Sequence, residues 1–192
     1  RGAVGPAQRL ALCIHHPHKI SDVARQIMHH PRIVDGLTQV IGPNVKAMQS
    51  MLFIKSEGKP GQAWHQDEHF IPTRDRSLAG VWIALDDADS GNGCLIALPG
   101  AHRGPLRQWF GYRDGDLVTR TLDATPWPAV EPVALEVRRG TLIVLHGLLP
   151  HASTANRSPR PRHAYSLHLI DGRADYPDDN WLQRTDLPLR GF

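Results

Sequence analysis

From residue 44 onward the apolar positions fall in short runs rather than long amphipathic stripes. VKAMQSMLFI (45–54), GVWIALDD (80–87), GCLIALP (93–99), EPVALEV (131–137), TLIVLHG (141–147) and HAYSLHLI (163–170) are rich in β-branched and aromatic residues. Gly, Pro, Asp and Asn clusters separate them, which is the punctuation of strands and turns. Asn92-Gly93 reads as one such tight turn. No helical pattern alternates with the runs, so parallel βαβ units are not expected. Many short strands in one chain predict a mainly β fold, a sandwich closed as a jelly roll (double-stranded β-helix). The first forty residues instead read as flanking N-terminal helices. Ser21 is placed to cap DVARQIMHH (22–30), and Pro31 opens PRIVDGLTQVI (31–41) before Gly42-Pro43 stops it. Residues 105–130 show no clean period and read as a long insertion or lid loop. The Pro/Asp-rich tail from Tyr176 to Phe192 reads as irregular coil around Trp181.

Length and composition narrow the picture. At 192 residues the chain suits a single domain over 1–192. It begins at Arg1 rather than Met, from which an N-terminal portion is expected to be missing. No apolar run reaches the ~20 residues of a bilayer span, and no signal-peptide pattern opens the chain, so no membrane partner is expected. The formal charge of +3 comes without a clustered basic stripe, so no nucleic-acid partner is expected either. Two cysteines and no CxxC make a reducing cytoplasm the default. The unusual number is twelve histidines, which asks for a reading position by position.

In AWHQDEHF, His65 and Asp67 are two apart. On a strand they would share one face, roughly 6–7 Å apart, close enough for an imidazole and a carboxylate to meet on one ion. Alone, the pair fits a hydrogen-bonded His–Asp couple better than a metal site. A third ligand would be His151, just after the run TLIVLHG, brought over by the closure of a jelly roll. Two His and one carboxylate on one face leave three positions of an octahedral ion open, the arrangement of non-haem Fe(II) oxygenases. Eleven residues on, Arg162 can pair bidentately with a carboxylate, and Ser166 on the same strand face can add a hydroxyl. Iron and a carboxylate-binding arginine together suit 2-oxoglutarate as co-substrate.

The stretches WHQDEHFIP, GVWIALDDADSGNGCLIALPGAHR and RRGTLIVLHGLLPHASTANRSPRPRHAYSLHLID resemble the phytanoyl-CoA dioxygenase family, over about Ile20 to Leu189. The resemblance implies Fe(II) on His65, Asp67 and His151, and Arg162 on the far carboxylate of 2-oxoglutarate. It also implies Met51 and Trp82 in the co-substrate pocket, although core packing accounts for Met51 nearly as well. The implied reaction is hydroxylation of a C–H bond of a small or medium-sized molecule, with O2 consumed and succinate and CO2 released. A carboxylate at Asp67 fits hydroxylation rather than halogenation. The family also carries an N-terminal region, with a lysine near the co-substrate, that does not occur in this chain.

Other polar residues carry weaker expectations. His69 could face substrate or be a partly exposed polar residue. Glu68 points away from the site. His146 reads as a core histidine, and Lys55 and Lys59 as solvent charges. His168 lies on the inward face of the arginine strand and could contact the pocket, with a core role preferred. Asn156 is expected to brace the loop after His151. Two rivals remain at this level: a cupin-like metal-dependent hydrolase using the same ligands, and a non-catalytic binding module retaining the fold. Oligomeric state is not legible.

Overall fold

Two antiparallel sheets face each other, and their inner faces enclose both an apolar core and a cavity. The computed structural model describes residues 13–113, 116–121, 127–175, 185 and 187–191. The larger sheet contains β1 (Cys13–His15), β2 (Val45–Phe53), β4 (Ala79–Ala84), β9 (Leu142–His146), β11 (Ala164–Asp171) and β12 (Leu187–Arg190). Its order is β1-β2-β11-β4-β9, with β12 beside β2 at the end opposite β1. The smaller sheet is ordered β3 (Gln62–His65), β10 (His151–Ser153), β5 (Leu95–Ala97), β8 (Val133–Leu135). Neighbours in both sheets come from distant parts of the chain, as in a jelly roll.

The outer face of the larger sheet is covered by α1 (Asp22–Met28) and α2 (Pro31–Thr38). The Ser21 hydroxyl accepts from the Ala24 amide at 3.3 Å and caps α1, while Pro31 sits in the first turn of α2. Met28, Ile33 and Leu37 pack against Val45, Ala47, Val81, Leu167 and Leu169 of the sheet. Each of the larger of these side chains contributes about 1.5–3 kcal/mol on burial. Between the sheets, Trp82, Leu95, Leu145 and Ala164 form a second core. The strand β11 is therefore buried on both faces.

A bulge in β2 decides which residues enter the interior. Across β11 the register runs Leu169↔Ala47 and then His168↔Gln49, leaving Met48 as the extra residue. Val45 and Ala47 pack in the outer core, whereas Gln49, Met51 and Phe53 line the inner cavity. The extra residue reverses the facing of the alternation between Ala47 and Gln49.

Three expectations are corrected here. The N-terminal region is not all helical, because Cys13–His15 pairs with β2 as a strand. Within 105–130 the structure contains a hairpin, β6 (Gln108–Arg113) against β7 (Asp116–Thr121), in register from Gln108↔Thr121 to Arg113↔Asp116. Its signal is the Asp-Gly dipeptide between an aromatic run and LVT. In the tail, Leu187–Arg190 is a strand rather than coil, whereas Trp181 lies outside the described residues.

Candidate metal centre

β3 and β10 are adjacent and antiparallel, and their register sets His151 directly across from His65. The two rings are 4.2 Å apart between centroids. Each Nδ1 lies against the carbonyl two residues back in its own chain: His65 on Ala63 at 2.8 Å, His151 on Leu149 at 2.9 Å. Nδ1–H is thus the donor, and both Nε2 lone pairs are left for the site. Burial pushes His65 down to about 4, with His151 adding to the shift, so its ring is neutral near neutral pH. The Gln62 amide donates to that Nε2 at 3.2 Å, as expected for an acceptor nitrogen.

Asp67 is not on the strand. The chain leaves β3 after His65 and turns through a short 3-10 segment, Asp67–His69. Asp67 Oδ1 nevertheless stands 3.7 Å from both Nε2 atoms. Burial raises the Asp67 carboxyl, but His151, His168 and His65 outweigh it and hold the group well below the usual carboxylate range. The ligand atoms of His65, Asp67 and His151 all lie within 4.8 Å of one another, and among the described residues they are the one such group suited to a metal ion. Neutral imidazole lone pairs and an ionised carboxylate fit a divalent first-row metal.

The 3-10 turn also decides the two residues after Asp67. Successive side chains there rotate by about 120°, so the strand rule fails beyond His65. His69 is buried, packs its ring 4.9 Å from that of Phe70, and does not line the cavity. Glu68 is fully buried, its carboxylate accepting from the Thr73 amide and hydroxyl and from Arg76. It braces the turn from the far side of Asp67.

The centre opens into a cavity lined by Met51, Trp82, Arg162, Ser166 and other inward residues of both sheets. Ser166 pairs in register with both Met51 and Trp82. Arg162 is 3% exposed, and its guanidinium carbon lies 5.5 Å from the centre of the Trp82 ring. Its Nε donates to the Gly93 carbonyl at 3.0 Å. Gly93 adopts a φ of 82°, which aims that carbonyl. Burial lowers Arg162 only to about 10, so its charge persists at neutral pH.

Other polar residues fall at this site or behind it. Lys55 is buried rather than solvated: its ammonium reaches the Thr154 carbonyl, the Ser153 hydroxyl at 2.9 Å and the Gly93 carbonyl at 3.4 Å. Lys59 is buried too. His168 lines the cavity, with Nε2 3.4 Å from Asp67 Oδ2, and Gln49 stands beside it. The inward alternation of Ser166 and His168 marks the pocket contact as the alternative to the core reading, and the pocket contact is the one found. His15 is exposed yet lines the same cavity. His146, in contrast, is exposed on β9 rather than in the core, accepting from the Leu148 amide at 3.0 Å. Asn156 does brace its loop, donating to the carbonyls of Lys55 at 3.0 Å and Arg160 at 2.7 Å.

Comparison with known proteins places this geometry. The family described as Phytanoyl-CoA dioxygenase (PhyH) matches residues 6–164. The chain is 41% identical over 146 residues to the phytanoyl-CoA dioxygenase of Arabidopsis thaliana, covering 73% of this chain and 50% of that protein. It is 35% identical over 194 residues to phytanoyl-CoA dioxygenase domain-containing protein 1 of Mus musculus, covering 97% and 66%. It thus spans from half to about two thirds of these relatives' length. The fold is that of the epimerase SnoN, solved in complex with Fe3+, alpha ketoglutarate and nogalamycin RO. The TM-score is 0.75 at 21% identity, over 93% of this chain and 78% of that one. With a jelly roll, a His-Asp-His centre and this sequence match, the chain belongs to the phytanoyl-CoA dioxygenase family.

Proposed function

We propose that the chain forms the catalytic part of an Fe(II)- and 2-oxoglutarate-dependent dioxygenase that hydroxylates a C–H bond of a small or medium-sized organic molecule. The observation that carries this reading is that the His65-Asp67-His151 group and the buried Arg162 line one cavity. The two imidazoles and Asp67 would hold Fe(II) from one side and leave the other side to the cavity. When bound, the iron supplies O2 activation coupled to the oxidative decarboxylation of 2-oxoglutarate to succinate and CO2.

The remaining work belongs to the protein. Arg162 would grip the far carboxylate of 2-oxoglutarate through paired N–H donors, its plane backed by Trp82. Ser166, opposite Trp82 and Met51, offers a hydroxyl to the same carboxylate, and Met51 an apolar wall. Phe53, Phe70, Leu95 and Leu145 complete a lining that limits water around the reacting atoms. His69 has no substrate contact in this scheme. The iron and alpha ketoglutarate named in the SnoN complex support the choice of metal and co-substrate.

The test is anaerobic calorimetry of the protein with Fe(II) and then 2-oxoglutarate, followed by O2 uptake and succinate release in air. One metal per chain, co-substrate binding only after the metal, and loss of both in Asp67→Ala are expected. Metal binding with no response to 2-oxoglutarate would overturn the proposal in favour of a metal-dependent hydrolase.

A further inference from the structure

Asp67 has two carboxylate oxygens, and the structure gives them different neighbours. Oδ1 lies 3.7 Å from both ligand imidazoles. Oδ2 lies 3.4 Å from His168 Nε2 and rests over Gly80, where a Cβ would come within 2.8 Å of it. His168 is itself set by Gln49, its register partner across β2 and β11, whose amide nitrogen is 2.9 Å from His168 Nδ1. An ionised carboxylate only accepts, so the His168 nitrogen facing Asp67 carries the proton and Nδ1 is left to accept from the Gln49 amide. The ring belongs to a central strand buried on both faces, which leaves it little freedom to turn. His168 is outside the group suited to hold the ion.

We infer that His168, oriented by Gln49, is a positioning residue that holds Asp67 Oδ2 so that the carboxylate meets the metal through Oδ1 alone. This rests on the metal reading above and adds to it the chain Gln49–His168–Asp67. A one-oxygen carboxylate keeps a further position of the ion free for the cavity. A carboxylate released from His168 would lose its set orientation toward the ion, which weakens its hold.

The test is calorimetric titration of the whole chain with Ni(II), without co-substrate, beside a thermal melt. His168→Leu should weaken Ni(II) binding about 10- to 100-fold, the usual range for loss of a partner behind a ligand. His168→Gln, which can present an N–H near the position of Nε2, should recover most of it. Gln49→Leu frees the tautomer and should weaken binding by a smaller factor, roughly severalfold. Unchanged affinity in His168→Leu at an unchanged melting temperature would overturn the inference. If that variant does not fold, unchanged affinity in Gln49→Leu would do so. Wild-type protein that takes up no Ni(II) would instead sink the metal site itself.

Discussion

Arg162, which lines the cavity, and Lys55, behind it, are two buried basic side chains that share an acceptor. The Gly93 carbonyl takes both Arg162 Nε and the Lys55 ammonium. The Lys55 backbone carbonyl accepts from the Arg162 amide at 2.9 Å and from Asn156 at 3.0 Å. Three acceptors match the three hydrogens of a protonated amine, while burial and the nearby Arg162 push Lys55 down to about 7. In this arrangement Lys55 steadies the frame on which the guanidinium is mounted. Lys55→Met should raise the KM for 2-oxoglutarate roughly 3- to 10-fold with little change in kcat, since about 1 kcal/mol of anchoring is lost. Steady-state kinetics at saturating O2 would show it, and an equal loss in kcat would point to the metal instead.

At the level of elements, the site is made where strands are forced close. β4 carries Gly80 opposite His168, and any side chain at that position would meet Asp67 Oδ2 at 2.8 Å. Contacts that short do not persist, so one partner must move. The backbone of a central strand is the stiffer of the two, and the carboxylate would give way. Gly80→Ala should therefore lose most Ni(II) affinity in calorimetry while its melting temperature stays within a few degrees of wild type. Retention of full affinity would show that Asp67 has room the structure does not reveal. The bulge at Met48 works on the same scale: it turns Gln49, Met51 and Phe53 inward together, so one extra residue supplies a wall of the cavity.

Across the whole molecule, His18 ties the N-terminal turn to β2 and to the C-terminal segment. Its Nδ1 is 2.5 Å from the Ser50 hydroxyl and its Nε2 is 2.9 Å from that of Thr185, whose amide donates to Met48. Burial, with the neighbouring His16, Lys19, Arg25 and His29, pushes His18 down to about 4 from its ordinary 6.5. A base with a depressed pKa stays neutral in the fold while the unfolded chain takes up a proton. Its contribution is therefore intact above pH 6.5 and is lost as the pH falls toward 4. The loss amounts to up to about 3 kcal/mol. Thermal melts between pH 7.5 and 4.5 should show a steeper decline in wild type than in His18→Gln. Parallel curves would remove His18 from the acid response.

The sequence by itself determined the class of fold and most of the chemistry. Period-two runs and turn residues are local signals, and they mark β2, β4, β5, β8, β9 and β11 without reference to partners. His65 and Asp67 were a weak pair alone and gained weight only beside His151, Arg162 and the family resemblance. What only the tertiary structure decided depends on pairing between distant segments. The register that faces His151 to His65, the bulge that turns Gln49 inward and the 3-10 turn that redirects His69 leave no mark in local composition. Lys55 looked like a solvent charge because nothing within its own stretch buries it; Gly93, Ser153 and Thr154 do, from elements far along the chain. Burial and register are properties of the packed sheets, and for that reason the candidate ligands could be named from the sequence while most of the residues packed around them could not.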